Sequence, residues 1–196
     1  GSGKSTLVKL MNRFYDVSRG SIEINGVDIR KYNLESLRTQ IGYVAQKAHM
    51  FKGSIQSNIC FGKPEASVEE MVHAATVAQA SDFISTREHG YEDEIAEDGT
   101  NISGGQKQRL SIARVILKKP SLYIYDDSFS ALDFKTDATL RKALKPEVKN
   151  AIFFVVAQRI STIMDSDMII VLDEGQIIGM GTHAQLLKDC SVYQEI

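Results

Sequence analysis

Hydrophobic and polar positions recur with different periods along this chain and divide it into three stretches. Near the start, apolar residues at helical spacing follow a glycine-rich segment, and Gly20–Ile29 is typical of two short strands joined by an Asn-Gly turn. From Lys47 to about Lys118 almost every apolar residue recurs at helical spacing. After Pro120, apolar runs typical of strands alternate with helical patterns. The pattern predicts an α/β core with a mainly parallel sheet and an inserted α-helical subdomain.

The strand predictions depend on short apolar runs. Ile41–Ala45, Leu122–Tyr125 and Ala151–Val156 are uninterrupted apolar segments of the kind that parallel sheets bury. Met168–Leu172 and Gln176–Met180 flank an Asp-Glu-Gly sequence and predict a hairpin. The chain length suits one domain, in which we expect 1–46 and 118–196 to form the α/β core and 47–117 the helical subdomain.

The segment that begins at Ser103 and leads into an apolar helical pattern is the strongest indication of function in the sequence. Ser103-Gly104-Gly105-Gln106 opens a helical pattern that ends near Pro120. Serine is a preferred N-cap, and glycines let another group approach the backbone closely. The N–H groups of a helix N-terminus carry partial positive charge, which favours an anion and above all a phosphate. Taken alone, the segment is equally typical of an ordinary capped helix, so other motifs have to decide.

Composition restricts the class of protein. The 196 residues are 43% hydrophobic and 24% charged, which is ordinary for a globular protein. A net charge of −2 gives no reason to expect a nucleic acid partner. The longest apolar runs are far shorter than the roughly 20 residues of a membrane span. Cys60 and Cys190 are far apart in sequence and fit no metal-ligand spacing, so we expect free thiols.

The glycine-rich residues at the beginning of the sequence predict a phosphate-binding loop. Gly3-Lys4-Ser5 matches the last part of the G-x-x-x-x-G-K-[ST] motif, and a helical pattern follows it. In that motif, backbone N–H groups hold phosphates, the lysine reaches the β and γ oxygens, and the hydroxyl ligates Mg²⁺. A flexible linker is the alternative for Gly1-Ser2-Gly3, and the helical pattern that follows argues against it.

A metal-binding signal lies after Pro120. Leu122–Asp126 is an apolar strand that ends in a carboxylate, the Walker B arrangement, in which the strand fixes Asp126 for Mg²⁺. An aspartate at a strand end is often only a turn former. Its combination with a phosphate-binding loop and with the helix at Ser103 favours the metal site.

In this order, the motifs resemble the nucleotide-binding domain of ATP-binding cassette (ABC) transporters of the exporter type, and the resemblance covers essentially the whole chain. Ser103–Gln106 corresponds to the family's signature segment. Gln46 stands at the position of the Q-loop glutamine, Asp133 lies in the D-loop, and Gln158 lies in the switch region. The resemblance implies a P-loop NTPase (RecA-like) fold, with ATP and Mg²⁺ as cofactors.

The resemblance also implies roles for individual residues. Two such domains pair head to tail around two ATP molecules, so the signature segment of one faces the phosphates bound by the other. The residues expected to bind the chain's own nucleotide are Gly1, Ser2, Gly3, Lys4, Ser5, Thr6 and Gln46. Those expected to contact the partner's ATP are Ser103, Gly104, Gly105, Gln106 and Asp133. The expected metal ligands are Ser5, Gln46 and Asp126, and the catalytic positions hold Asp127 and Gln158.

Both catalytic positions depart from the family pattern. Active members carry Glu where this chain has Asp127, and His where it has Gln158. The aspartate side chain is one methylene, about 1.5 Å, shorter, and a misplacement of about 1 Å can cost on the order of a hundredfold in rate. Glutamine still hydrogen-bonds a phosphate oxygen but cannot become a cation. Both changes weaken hydrolysis rather than binding, which resembles the degenerate subunit of a heterodimeric exporter whose partner supplies the Glu and the His.

The beginning of the sequence lacks parts that the family places before the phosphate-binding loop. The first glycine of the motif and an aromatic residue that stacks on adenine would precede Gly1. We therefore expect the sequence to be truncated at its N-terminus. For the isolated chain we expect weak ATP binding and little or no ATPase activity.

These observations favour an ATPase domain that works with transmembrane domains and a second nucleotide-binding domain on the cytoplasmic side of the cell membrane. One alternative is a regulatory nucleotide-binding module without turnover, which Asp127 and Gln158 favour. The other is a soluble ABC-type ATPase not tied to transport. The near-neutral charge and the absence of a coiled-coil insertion count against a partner such as DNA or the ribosome.

Overall fold

The computed structural model describes residues 2–195; Gly1 and Ile196 lie outside them. The helices are α1 (Lys4–Met11), α2 (Leu34–Gln40), α3 (Ile55–Ile59), α4 (Val68–Val77), α5 (Ser81–Ser85), α6 (Gly104–Lys118), α7 (Phe134–Glu147), α8 (Ile160–Ile163), α9 (His183–Asp189) and α10 (Ser191–Glu195). The strands are β1 (Glu23–Ile24), β2 (Val27–Asp28), β3 (Ile41–Val44), β4 (Gly53–Ser54), β5 (Glu94–Ile95), β6 (Leu122–Asp126), β7 (Ile152–Val156), β8 (Ile169–Asp173) and β9 (Gln176–Gly181).

The chain forms two compact units. Of the described residues, unit 1 contains 2–37 and 155–195, and unit 2 contains 38–154. Unit 2 holds β3, β6 and the first three residues of β7, together with all helices from α3 to α7. Unit 1 holds α1 and the C-terminal elements from α8 onward.

Unit 2 is built around parallel strands and one long buried helix. The strand order is β3-β6-β7, and β3 pairs with β6 in parallel, from Ile41 opposite Leu122 to Val44 opposite Tyr125. Helix α6 packs against β3, α3 and α4. Leu110, which faces this core, is fully buried. Burial around most of α6 explains why its sequence is apolar on more than one face.

Unit 1 has its own smaller core under an antiparallel hairpin. Strands β8 and β9 pair from Ile169 opposite Gly181 to Asp173 opposite Gln176. Alternate residues of β8 point to the same face, and there Ile169 packs in a buried cluster with side chains from α9 and α10. One member of this cluster is Cys190, which is a free thiol, as is Cys60 in unit 2.

Most of the pattern-based element predictions are confirmed, and the exceptions have physical reasons. The apolar run at 151–156 does form a strand, but it is not buried as predicted: Ile152 is 67% exposed and only Val156 is buried. An apolar run shows strand propensity and cannot show what covers its faces. The helical block contains one short antiparallel pair, β4 with β5, which two-residue strands do not reveal in a periodicity. The α/β fold is confirmed, and the division at residues 47 and 117 stays a prediction.

Candidate functional site

The predicted phosphate-binding loop leads directly into α1. Gly3 is the N-cap residue, with the left-handed φ of 90° that glycine adopts without strain, and as a glycine it has no side chain to cap the helix. The Nζ of Lys4 donates to the Oγ of Ser2 at 2.6 Å, and the backbone N–H of Gly175 donates to the carbonyl of Ser2 at 3.3 Å. The loop therefore presents a helix N-terminus without a side-chain cap and an ammonium group beside it, a donor set that suits phosphate. Gly1 lies outside the described residues.

Asp126 is the last residue of β6 and is only 3% exposed. The hydroxyl of Tyr43, on the neighbouring strand β3, donates to its Oδ2 at 3.2 Å. Burial raises the pKa of Tyr43 to about 12, and the negative charge and hydrogen bond of Asp126 add to the effect. Tyr43 therefore stays a neutral donor toward this carboxylate at physiological pH.

Asp127 follows β6 and lies at a sharp turn of the chain. Its φ of 49° is in the left-handed region, and the residue is 9% exposed. The Nε2 of Gln46 donates to its Oδ2 at 3.0 Å. Asp and Asn are the non-glycine residues that enter this backbone region most readily, so the turn suits the residue that is present.

Two further side chains hold the end of β3, and with it Gln46, in place. The Oγ of Ser128 donates to the carbonyl of Val44 at 2.9 Å, and the Nε2 of Gln108 donates to the carbonyl of Ala45 at 3.1 Å. Ser128 and Gln108 are both buried. The hydrogen bond from Gln108 joins the chain just before Gln46 to α6, the helix that begins at the signature segment.

The signature segment starts α6 with a reciprocal capping box. The Oγ of Ser103 accepts from the N–H of Gln106 at 3.2 Å, and the Oε1 of Gln106 accepts from the N–H of Ser103 at 3.0 Å. The N–H groups of Gly104 and Gly105, in the first turn, have no intrahelical acceptor. A Cβ added at Gly104 would meet no atom within 4 Å, and one at Gly105 would lie 3.4 Å from the carbonyl oxygen of Ala131. The segment therefore offers the backbone N–H of Gly104 on an open surface, whereas Gly105 is half-buried beside Ala131.

The remaining predicted residues lie at helix ends. Asp133 is the N-cap of α7, where it accepts from the backbone N–H of Thr136 at 3.0 Å and from its hydroxyl at 2.7 Å. These hydrogen bonds, the backbone one first, lower the pKa of Asp133. Gln158 is exposed in the short segment between β7 and α8, in unit 1.

The structure thus brings together Gln46, Asp126 and Asp127 in unit 2, while Ser2–Thr6 and Gln158 belong to unit 1. Sequence reasoning missed Tyr43, Ser128 and Gln108. Side chains alternate along a strand, so knowledge of the register between β3 and β6 would have placed Tyr43 and Asp126 on one face of the sheet. The sequence does not give that register.

The donor chemistry fits ATP and Mg²⁺. Mg²⁺ is usually held by one or two carboxylates and by phosphate oxygens, rather than by a dense cluster of protein ligands. In unit 2, Asp126 is a buried carboxylate and Gln46 offers a side-chain amide; Ser5, which offers a hydroxyl, belongs to unit 1. Within residues 2–195, no three His, Cys, Asp or Glu side chains converge to form a ligand cluster.

Comparisons with known proteins agree with the motifs. A sequence profile described as ABC transporter matches residues 1–130. A putative multidrug export ATP-binding/permease protein of Bacillus subtilis, YgaD, is 47% identical over 196 residues, which is all of this chain and 34% of that protein. Heavy metal tolerance factor 1 of Caenorhabditis elegans is 44% identical over 193 residues, 98% of this chain and 24% of that protein.

A solved structure of a bacterial Atm1-family ABC exporter with ATP bound superposes with a TM-score of 0.95 at 39% identity. The match covers 99% of this chain and 34% of the exporter chain. The chain thus spans about a third of the length of the first of these relatives. Among residues 2–195, no helix is both long enough and apolar enough to cross a bilayer. Since the family profile covers two thirds of the residues and the fold agrees, this chain belongs to the ABC transporter family, as an ATP-binding domain with a P-loop NTPase fold of the exporter type.

Proposed function

We propose that this chain powers export across a membrane by pairing, in an ATP-dependent way, with a second nucleotide-binding domain. The observation that carries the proposal is the open N-terminus of α6. Gly104 is exposed and has room beside it for a group supplied by another molecule, and it lies in the first turn, where backbone N–H groups favour an anion. Phosphates bound by a facing domain fit this surface, and bound ATP would then stabilise the pair.

The chain's own nucleotide would be held by the phosphate-binding loop. Gly1, Ser2, Gly3, Thr6 and the ammonium of Lys4 are the proposed phosphate-binding groups, and Ser5, Gln46 and Asp126 the proposed Mg²⁺ ligands. Mg²⁺ bound there would neutralise phosphate charge. The chain's own part is to orient the phosphates and the metal.

We further propose that this chain's own site hydrolyses ATP slowly or not at all. Asp127 has the shorter acidic side chain, it lies in a left-handed backbone conformation, and one of its oxygens accepts a hydrogen bond from Gln46. A shorter side chain that already accepts a hydrogen bond from Gln46 would orient an attacking water less well. At the second catalytic position, Gln158 can donate a hydrogen bond but cannot carry a positive charge.

It follows that the partner is a non-identical domain that carries Glu and His at the corresponding positions. In such a pair, Ser103–Gln106 and Asp133 would serve the partner's ATP, which is the productive one. Transmembrane domains would complete the assembly, with the ATP-binding domains on the cytoplasmic side of the membrane. Within the domain, residues 47–117 would form the helical subdomain and residues 1–46 and 118–196 the core.

The test is to restore the two positions in the natural full-length protein with its partner. Asp127→Glu combined with Gln158→His should raise hydrolysis at this site by one to two orders of magnitude. To isolate this site, the partner's catalytic glutamate is replaced by glutamine in all samples. Unchanged turnover in the restored protein would contradict the impaired-site proposal, and it would leave the proposed transport role in place.

A regulatory module that binds ATP without turnover is the second candidate, and Asp127 and Gln158 favour it. The two candidates differ in what Gly104→Ala would do. If the chain acts in trans on a partner's ATP, this substitution lowers transport-coupled hydrolysis by the whole assembly. If the chain is only a sensor, hydrolysis elsewhere in the assembly continues at the normal rate.

A further inference from the structure

We propose that Tyr43 is a positioning residue for Asp126: its hydroxyl fixes the orientation in which the carboxylate serves Mg²⁺. The inference rests on the proposed function, because it assigns a role at the same metal site. It adds a residue from β3 to a site whose predicted members in unit 2 are Gln46, Asp126 and Asp127.

The register of the sheet places the two side chains together. Tyr43 pairs with Ile124 in the parallel β3–β6 ladder. Asp126 lies two residues further along β6, and residues two apart on a strand share a face. Tyr43 therefore lies on the same face of the sheet as Asp126. Its hydroxyl donates a hydrogen bond to the Oδ2 of Asp126 at 3.2 Å.

Burial makes this hydrogen bond important for orientation. Asp126 is 3% exposed, so bulk water contributes little to fixing its carboxylate, and protein donors have to do so. A tyrosine donor turns about few bonds and carries no charge. It can therefore fix the plane of the carboxylate without neutralising the negative charge that a metal needs. Groups that hydrogen-bond a ligating carboxylate in this way typically change metal affinity by about 10- to 100-fold when they are removed.

The chain offers a matched control on the adjacent residue. Tyr125 is fully buried, and within the described part of the chain its hydroxyl has no hydrogen-bond partner. Because it precedes Asp126 on the same strand, it faces the other side of the sheet, where it packs on Phe129 and Phe153. Tyr43→Phe and Tyr125→Phe each remove one hydroxyl, and only the first removes a donor to Asp126.

The experiment measures ATP affinity of the natural full-length protein by calorimetry, with excess Mg²⁺ and with EDTA. We expect Tyr43→Phe to weaken binding about 10-fold in Mg²⁺ and to leave binding in EDTA within twofold of the unmodified protein. Tyr125→Phe should change neither value. In an Asp126→Asn background, Tyr43→Phe should have no further effect on the Mg²⁺ dependence, because the orientation of the metal ligand no longer matters.

Three results would overturn the inference. Unchanged affinity of Tyr43→Phe in Mg²⁺ means that the hydroxyl does not serve the metal. An equal loss in Mg²⁺ and in EDTA means that Tyr43 has a merely structural role. If the unmodified protein binds ATP in neither buffer, the proposed function itself fails, and the role of Tyr43 fails with it.

Discussion

The side-chain amide of Gln46 donates a hydrogen bond of 3.0 Å to the carboxylate of Asp127, which lies 81 residues later in the sequence. This contact joins the segment after β3 to Asp127, for which we propose the position of the catalytic base. Asp127 is buried at 9% exposure while Gln46 is exposed, so the bond lies at the edge of the buried region. The effect on stability of a substitution at one of these residues should therefore depend on which side chain is present at the other.

Gln46→Ala and Asp127→Ala should be coupled in a double-mutant cycle. A hydrogen bond to a charged group contributes about 1.5–3 kcal/mol, and we expect a coupling energy in the lower part of that range because the pair lies near the surface. Urea unfolding of the two single variants and the double variant measures it. Additive losses of free energy would contradict a direct interaction. Lys47→Ala, at an exposed neighbouring position, is the control and should be additive with Asp127→Ala.

Asp127→Glu should lower the free energy of unfolding by about 1 kcal/mol, because longer L side chains are less well tolerated than Asp or Asn in the left-handed region. The φ of 49° at this residue sets the expectation. Asp127→Asn, which fits the same backbone and can still accept from Gln46, should cost less than half as much. Denaturant unfolding measures both variants. If the Asp127→Glu variant were as stable as the unmodified protein, the backbone at this turn would impose no such restriction.

Gly104→Ala should separate stability from function. The added methyl group meets no atom within 4 Å, and alanine is a better helix residue than glycine by up to about 1 kcal/mol. The free energy of unfolding should therefore stay the same or rise slightly. ATP hydrolysis by the natural assembly should fall at least tenfold, because the methyl group covers the surface on which the partner's phosphates are proposed to bind. Full hydrolysis with full stability would count against action in trans.

Gly42→Ala should destabilise unit 2 by about 1–3 kcal/mol through overpacking. A Cβ at this position would lie 2.5 Å from Cγ1 of Val115 and 2.6 Å from Cγ of Pro120. Both atoms belong to well-packed surroundings, so β3 or α6 has to shift. Gly62→Ala is the matched control, since its nearest neighbour would be the flexible Cδ of Lys118 at 4.0 Å. Thermal unfolding should show a lower midpoint for the first variant alone.

Asp28 should titrate unusually low in the folded chain. The side-chain hydrogen bond from Arg30, followed by the backbone N–H of the same residue, lowers the pKa of Asp28 from 3.8 to about 2. Because the folded pKa is the lower one, this contribution to stability is present above pH 3.8 and is lost as the pH falls toward 2. Carboxyl carbon shifts in an NMR titration measure it. Arg30→Ala should move the midpoint back toward 3.8, and an unchanged midpoint would refute the assignment.

Much of the site could be predicted because its signals are local. The helix start at Ser103 depends on neighbouring residues, and the structure confirms Ser103 as the N-cap of α6. The strand that ends at Asp126 is a single apolar run. The burial of 151–156 could not be predicted, because it depends on what packs against the strand, and Ile152 is 67% exposed.

The sequence by itself determined which chemical groups follow one another along this chain: a glycine-rich segment before a helix, a carboxylate at a strand end, a helix capped by Ser103, and an aspartate and a glutamine at the two proposed catalytic positions. Only the tertiary structure decided how the carboxylates are held. Tyr43 reaches Asp126 across 83 residues of sequence because β3 and β6 pair in one particular parallel register. A shift of one residue in that register would place Tyr43 and Asp126 on opposite faces, since side chains alternate along a strand. That register is set by packing over the whole of unit 2, which no local pattern specifies.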